Sequence, residues 1–380
     1  MVLKKKLLIL SYSDLHRDPR VWRQINMFKE SYKVIAAGYQ HPELEPVEFI
    51  KIHKKRPMWW KLISMIRVVL HKYETYYWST PIIQETLNNL QSIKFDAIIA
   101  NDMKALPVAV KLAEEKKVPL LADIHEYKPR HYDHLWYFRV FEKPFWMHIG
   151  KKYLPMATKR TTVCEGLANE FFKDFQQPFD VITNAPDYYN LSPSEVDSTS
   201  IRIIHHGSLH SPRPIDDMIY LMDNLDSRFS LDLMMLENDI NEYNRIVRLT
   251  KSRKNIRLIE PVPMLEIPEK INDYDIGLFM LRPNSFSYRM ALPNKLFEFV
   301  QGRLMTAIWP SPEMKKVVDE YNLGAVSNNF SIESMAIVLN NLTADQIMEY
   351  KQNAHKSAKI LSYDSNREKM ITWLEELLKL

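Results

Sequence analysis

Short, unbroken apolar runs recur along this chain, each followed by a stretch with helical spacing, and that alternation restricts the fold more than any other feature. The first run, Lys5–Ser11, carries Leu7, Leu8, Ile9 and Leu10 in succession. Both faces of such a strand must be covered, as they are in a parallel sheet flanked by helices. It breaks into Tyr12-Ser13-Asp14-Leu15-His16-Arg17, and Asp18-Pro19 then supplies an N-cap and a proline for the first helical position. Val21, Ile25 and Phe28 continue at helical spacing, and Lys33–Ala37 reads as the next strand. Phe95–Ala100, Val118–Ile124, Arg160–Val163 and Asp180–Thr183 extend the series, with helices expected over Leu106–Lys116 and Gly166–Phe175. A polar stretch without periodicity, about Ser192 to Ser200, is the best linker in the chain. Beyond it, Ile201–His205, Asp232–Met235, Ile256–Leu258 and Ile276–Met280 repeat the pattern. The expectation is an α/β chain of two Rossmann-like domains, 1–190 and 201–365. An amphipathic helix at 366–380, through Met370, Trp373, Leu374 and Leu377, is expected to pack back on the first domain.

Composition narrows what such domains can bind. With seven glycines in 380 residues, neither G-x-G-x-x-G nor a Walker loop occurs, so phosphate has to be held by helix starts and side chains. A net charge of +4 is too mild to indicate nucleic acid. The one cysteine, Cys164, excludes a disulfide frame and a thiolate metal site, which fits an intracellular setting. The start, MVLKKKLLILSYSD, has a positive lead, but its apolar run is too short for a secretory signal. No apolar run approaches the roughly twenty residues of a membrane span.

The stretch from Ala291 to Gly302, ALPNKLFEFVQG, gathers more chemistry than any other. Pro293 suits the first turn of a helix and Gly302 its end. Asn294 and Glu298 stand four apart and Lys295 and Glu298 three apart, so one turn presents an amide, an ammonium and a carboxylate together. Free N–H groups at the helix start attract phosphate, Lys295 adds a full charge, and the carboxylate can accept from two sugar hydroxyls. The same spacing also fits an ordinary surface Lys–Glu pair.

The longer segment ALPNKLFEFVQGRLMTAIWPSPEMKKVVDEYNLGAVSNN resembles the donor-binding segment of retaining GT-B glycosyltransferases, in the large family 4 ("group 1") that includes many bacterial surface-polysaccharide enzymes. DPRVWRQ after the first strand and ADIHEY at the end of the Val118–Ile124 strand resemble the same family. The resemblance implies a GT-B fold, with two Rossmann-like domains facing a central cleft. It implies a ribose contact for Glu298 and a diphosphate contact for Lys295, with Leu292 and Asn294 beside them. Gly207 permits close backbone approach, and Arg213 can give a forked phosphate contact. By resemblance the nucleobase meets backbone at Pro261 and Val262. Two positions depart from the pattern: Met290 stands where many members carry a second glutamate, and Ser208 where the turn usually has arginine.

In the first half, His16, Arg20, Asp123 and Glu126 fall where loops would face the cleft, and alternation puts Asp123 and His125 on one face of a strand. His125 is a candidate for contacting a sugar or sharing a proton, and with Arg213 and Lys295 completes the expected catalytic set. Residues 51–78 and 127–160 are both rich in bases and aromatics. Lys54, Lys55, Arg56 and Lys61 crowd around Trp59 and Trp60, a composition that suits either an anionic membrane interface or a buried helix with a charged outer face.

The implied activity is transfer of a hexose-type sugar from a nucleotide diphosphate sugar, a UDP-sugar ahead of a GDP-sugar, to a hydroxyl of a glycan or lipid-linked glycan, with retention. No metal and no further cofactor are called for, and the setting is cytoplasmic or peripheral on the inner face of the plasma membrane. Two other readings stay open at this point: a sugar-nucleotide epimerase of the same fold, and a sugar- or nucleotide-binding module without catalysis.

Overall fold

The structure, a computed structural model, describes residues 4–54, 66–209 and 215–379. It divides into two compact units: Met1–Ile182 with Ser285–Ser287 and Arg367–Leu380, and Thr183–Asn284 with Tyr288–Asn366.

In the first unit, seven strands form a parallel sheet, all but β3 on the runs named above: β1 (Lys6–Leu10), β2 (Lys33–Gly38), β3 (Glu48–Lys51), β4 (Ala97–Asn101), β5 (Leu120–Asp123), β6 (Lys159–Thr162) and β7 (Asp180–Val181). Their order is β3-β2-β1-β4-β5-β6-β7. Strand order therefore reverses between β1 and β4, the place where open parallel sheets receive ligands outside the strands' carboxyl ends. The central strands β1 and β4 are buried almost throughout, which is why they read as continuous apolar runs. The helix Pro19–Phe28 begins as its sequence predicts, with Asp18 at the N-cap accepting from the Val21 N–H at 3.3 Å.

The second unit holds six parallel strands: β8 (Ile201–Ser208), β9 (Phe229–Leu236), β10 (Ile256–Ile259), β11 (Ile276–Phe279), β12 (Met305–Ile308) and β13 (Gly324–Val326), ordered β10-β9-β8-β11-β12-β13. Here the order reverses between β8 and β11. The helix Asn294–Gln301 lies between β11 and β12 in the chain, so its N-terminus stands at the carboxyl edge of the sheet. Gly277 on β11 permits its close approach: a Cβ there would lie 2.3 Å from the Phe299 ring.

Two expectations need correcting. The chain enters the second unit after Ile182, ahead of the expected boundary at 190 and the polar stretch beyond it. The reason is hydrogen bonding: the Tyr189 N–H donates to Gln301 at 3.1 Å, and Ser194 Oγ donates to the Asn272 carbonyl at 2.9 Å. Pro293 is the N-cap of its helix, in an extended conformation, rather than a first-turn residue. Gly302 ends that helix as its C-cap, as expected, with a right-handed φ of −77°, and Arg303 after it takes the left-handed position at φ 60°. Lys117, Gln176 and Asn322 likewise sit left-handed just past helix ends.

The last helix, Tyr363–Leu377, passes into the first unit, where Lys159 Nζ lies 4.2 Å from the centre of the Trp373 ring. Lys5 Nζ donates to the Leu378 carbonyl at 2.9 Å. Among the described residues no helix is long and apolar enough to cross a membrane.

Candidate functional site

At the carboxyl edge of the second unit, β8 ends in His205, His206, Gly207 and Ser208, facing the start of the helix Asn294–Gln301. Gly207 has a φ of 134°, a conformation L side chains avoid, so backbone rather than a side chain lines this point. Ser208 Oγ accepts from Asn238 Nδ2 at 2.8 Å. Lys295 and Glu298, one turn apart, are each only 6% exposed, and apolar surroundings do not account for burying two ionisable groups. Lys295 Nζ lies 3.1 Å from His205 Nε2 and 4.5 Å from the centre of the Phe279 ring.

Glu298 Oε2 is 3.5 Å from His206 Nε2. That imidazole is buried, and burial together with the Lys295 charge holds its pKa well below the ordinary histidine value, so it is neutral. His206 Nε2 makes no hydrogen bond among the described residues. A buried polar atom in that condition is costly unless a ligand completes it. Leu292 is buried, Asn294 half-buried, Pro261 exposed and Val262 half-buried, the last two following β10 at the same edge of the sheet. Arg213 lies outside the described residues. The arrangement gathers a buried cation, a buried carboxylate, helix N–H groups and exposed backbone at one switch point, a set suited to phosphate and to vicinal hydroxyls.

The first unit treats its candidates differently. Arg20 and Asp123, expected to face a ligand, are both buried and bound to each other. Arg20 Nε donates to Asp123 Oδ2 at 2.7 Å and Nη2 to Oδ1 at 2.6 Å. Gln24 also donates to Asp123, Thr161 Oγ1 donates at 2.7 Å, and Arg20 Nη1 donates to the Ile182 carbonyl at 2.9 Å. Burial alone would raise the Asp123 pKa, but the Arg20 charge and these donors hold it below the carboxylate range. The pair ties the helix Pro19–Phe28 to β5 and β6. His16 is exposed, 3.4 Å from Glu43, and Glu126 is engaged by Lys128 and, at 3.5 Å, by His131.

Strand β5 stops at Asp123, so alternation does not extend to His125. His125 turns to Asp102, with Nε2 3.3 Å from Oδ2. Sequence reasoning passed over Asp102, which follows β4 beside the reversal of strand order. It has a left-handed φ of 69°, uncommon for a residue other than glycine. Among the described residues its buried Oδ1 makes no hydrogen bond, and neither does His125 Nδ1. Burial raises its pKa, partly offset by the charges of His125 and Lys128. The available signal was position: Asn-Asp directly after an apolar strand in a parallel sheet. The histidines ahead of Gly207 offered the same signal.

The two basic-aromatic stretches meet within this unit. Tyr76 packs edge-on against Phe145 at 5.0 Å, and Lys152 pairs with Glu74 at 2.8 Å. Tyr73 and Tyr77 are core, while Ile66, Val69, Leu70, Trp136, Tyr137 and Val140 are exposed. Lys55, Arg56, Trp59, Trp60 and Lys61 lie outside the described residues.

No family model matches this sequence, and no curated protein matches it either. Solved structures do match over the whole chain. HepE from Anabaena, in complex with UDP and glucose, is 13% identical with a TM-score of 0.69, covering 98% of this chain and 100% of that one. WaaG, described as a glycosyltransferase involved in lipopolysaccharide biosynthesis, is 13% identical with a TM-score of 0.64, covering 96% of this chain and 98% of that one. A glycosyltransferase from Rickettsia africae is 12% identical with a TM-score of 0.66, covering 99% of each chain. Identities this low establish the fold, and the fold is GT-B.

Proposed function

We propose that the protein is a glycosyltransferase that takes a sugar from a nucleotide diphosphate donor, a UDP-sugar first among candidates, and passes it to a hydroxyl with retention. The observation that carries this reading is the buried Lys295–Glu298 turn at the β8–β11 switch point, beside His206 Nε2, which has no hydrogen bond among the described residues. Structural neighbours solved with UDP and with UDP-glucose support the choice of donor. Glu298 would accept from the ribose hydroxyls, and Lys295 with Arg213 would meet the diphosphate. The bond from the anomeric carbon to the diphosphate breaks and one to the acceptor oxygen forms. The acceptor proton passes to the departing diphosphate, so no protein base is required. Positioning and charge stabilisation then supply the rate. In the first unit, His125 held by Asp102 would contact a sugar hydroxyl.

Calorimetry with UDP, GDP and their sugar conjugates, followed by turnover with and without acceptor, tests the proposal. Nucleotide diphosphate binding with acceptor-dependent release supports it. Absence of binding to every nucleotide sinks it, acceptor-free change of the sugar indicates an epimerase, and binding without turnover a non-catalytic module.

The acceptor proposed is a glycan or lipid-linked glycan of a surface polysaccharide, presented at an anionic membrane surface. Exposed Ile66, Val69, Leu70, Trp136, Tyr137 and Val140, interleaved with exposed Lys72 and Arg139, support that placement. Co-sedimentation with anionic vesicles that weakens with salt is the expected result, and no sedimentation at low salt removes it.

A further inference from the structure

Resting on the reading of Lys295 as a diphosphate contact, we infer that His205 is a positioning residue that aims the Lys295 ammonium at the phosphates. His205 is 1% exposed, on β8 at the switch point. Its Nδ1 is 2.9 Å from the Leu278 carbonyl on β11. A carbonyl only accepts, so Nδ1 carries the proton and Nε2 keeps its lone pair. That lone pair faces Lys295 Nζ at 3.1 Å, and the nitrogen must therefore donate to it. The imidazole is stacked on Phe279 at 5.9 Å and 19°, and the face of the same ring lies 4.5 Å from Nζ. The ammonium is thus fixed from two sides by groups anchored on neighbouring strands.

The chemical identity of the holder matters. Lysine has a long, flexible stem, and without a fixed partner its ammonium would sample many positions. A carboxylate at this position would fix it but cancel its charge and repel phosphate. A neutral imidazole fixes it while leaving the charge intact for an incoming anion. The packing role alone would be served by leucine or isoleucine, which β8 uses at Ile203 and Ile204.

The test measures UDP and uridine affinity by calorimetry for the wild type, Lys295→Ala, His205→Leu and His205→Gln, with thermal midpoints recorded. Lys295→Ala should weaken UDP about tenfold or more and leave uridine within about twofold. His205→Leu should weaken UDP about three- to tenfold with uridine again unchanged. His205→Gln, whose side-chain oxygen can accept from Nζ, should restore UDP to within about twofold of wild type. If the leucine variant does not fold, His205→Asn replaces it, since its shorter amide can keep the Leu278 contact without reaching Nζ. An effect of Lys295→Ala on UDP, with none from His205→Leu, overturns the inference and leaves the donor-site reading standing. Equal losses for UDP and uridine, or no rescue by glutamine, mean that His205 only packs. Unchanged UDP affinity in Lys295→Ala, or no UDP binding by the wild type, overturns the underlying reading and the inference with it.

Discussion

In the first unit the buried cation Arg20 meets the buried anion Asp123 through two parallel bonds, with Thr161, Gln24 and the Ile182 carbonyl completing the shell. In the second, Lys295 is held by an uncharged imidazole and the face of Phe279, and Glu298 stands against a neutral His206. Both clusters are buried to a similar degree, so burial does not separate them. The chemistry of the partners does. Charge set against charge is consumed inside the fold, whereas charge set against neutral donors and acceptors stays available to a ligand.

Substitution sharpens that contrast, and the largest effect belongs to the closed pair. Asp123→Ala strands the Arg20 guanidinium and should cost about 3–5 kcal/mol in denaturant unfolding. Lys295→Ala should cost less than about 1 kcal/mol in the same assay but lower kcat about a hundredfold, with KM for the donor less affected. If Lys295→Ala destabilises the fold as Asp123→Ala does, the distinction between the clusters is lost.

Glu298→Ala comes next. On the proposed ribose contact it would leave two hydroxyls without their acceptor and should weaken nucleotide binding by about 1–3 kcal/mol. Unchanged calorimetric affinity for every nucleotide diphosphate would remove Glu298 from the site.

Asp102 gives the smallest effect and one of opposite sign. Because burial raises its pKa, the folded protein holds this proton more tightly than the unfolded chain does. Its contribution favours folding below the ordinary value of 3.8 and is lost as the pH rises through the raised one. At neutral pH, Asp102→Asn should therefore stabilise the protein by about 1 kcal/mol, asparagine also tolerating the left-handed backbone. Turnover should fall at least about tenfold. Thermal unfolding at pH 4 and pH 8 checks the sign: the variant's advantage should grow with pH, and an advantage that shrinks would refute the assignment.

The sheets were legible because parallel strands are buried on both faces and announce themselves as apolar runs. Edge strands β3 and β13 were not, being short and half-exposed. The Lys295–Glu298 turn stood out through the resemblance of its segment, since its spacing alone fits a surface pair as well, and Asp18-Pro19 through its capping chemistry. Arg20 and Asp123 looked equally functional, because a sequence shows that a charge exists but not what it meets. Asp102 was hidden for a related reason. The helix it opens was placed at Leu106, yet the buried Met103 extends it back to Asp102, with Pro107 accommodated inside. Packing there outweighed local propensity.

Three of the left-handed helix ends bear on how far this protein could be hardened against heat. Lys117, Gln176 and Asn322 each carry a side chain where glycine would sit at lower conformational energy, by about 1 kcal/mol for Lys117 and Gln176 and less for Asn322, since asparagine tolerates this region. They precede β5, β7 and β13, at the edge of each sheet opposite the proposed ligand contacts. Exchange of Lys117 or Asn322 for glycine would thus raise thermal tolerance without touching catalysis. Gln176 and Arg303 are exceptions: Gln176 Nε2 donates to the carbonyls of Phe172 at 3.1 Å and Lys173 at 3.2 Å, and the Arg303 guanidinium donates to those of Leu191, Val300, Gln301 and Tyr189. A chain with seven glycines keeps unused tolerance for mutation at Lys117 and Asn322, and at Gln176 and Arg303 it has spent the strain on a lock.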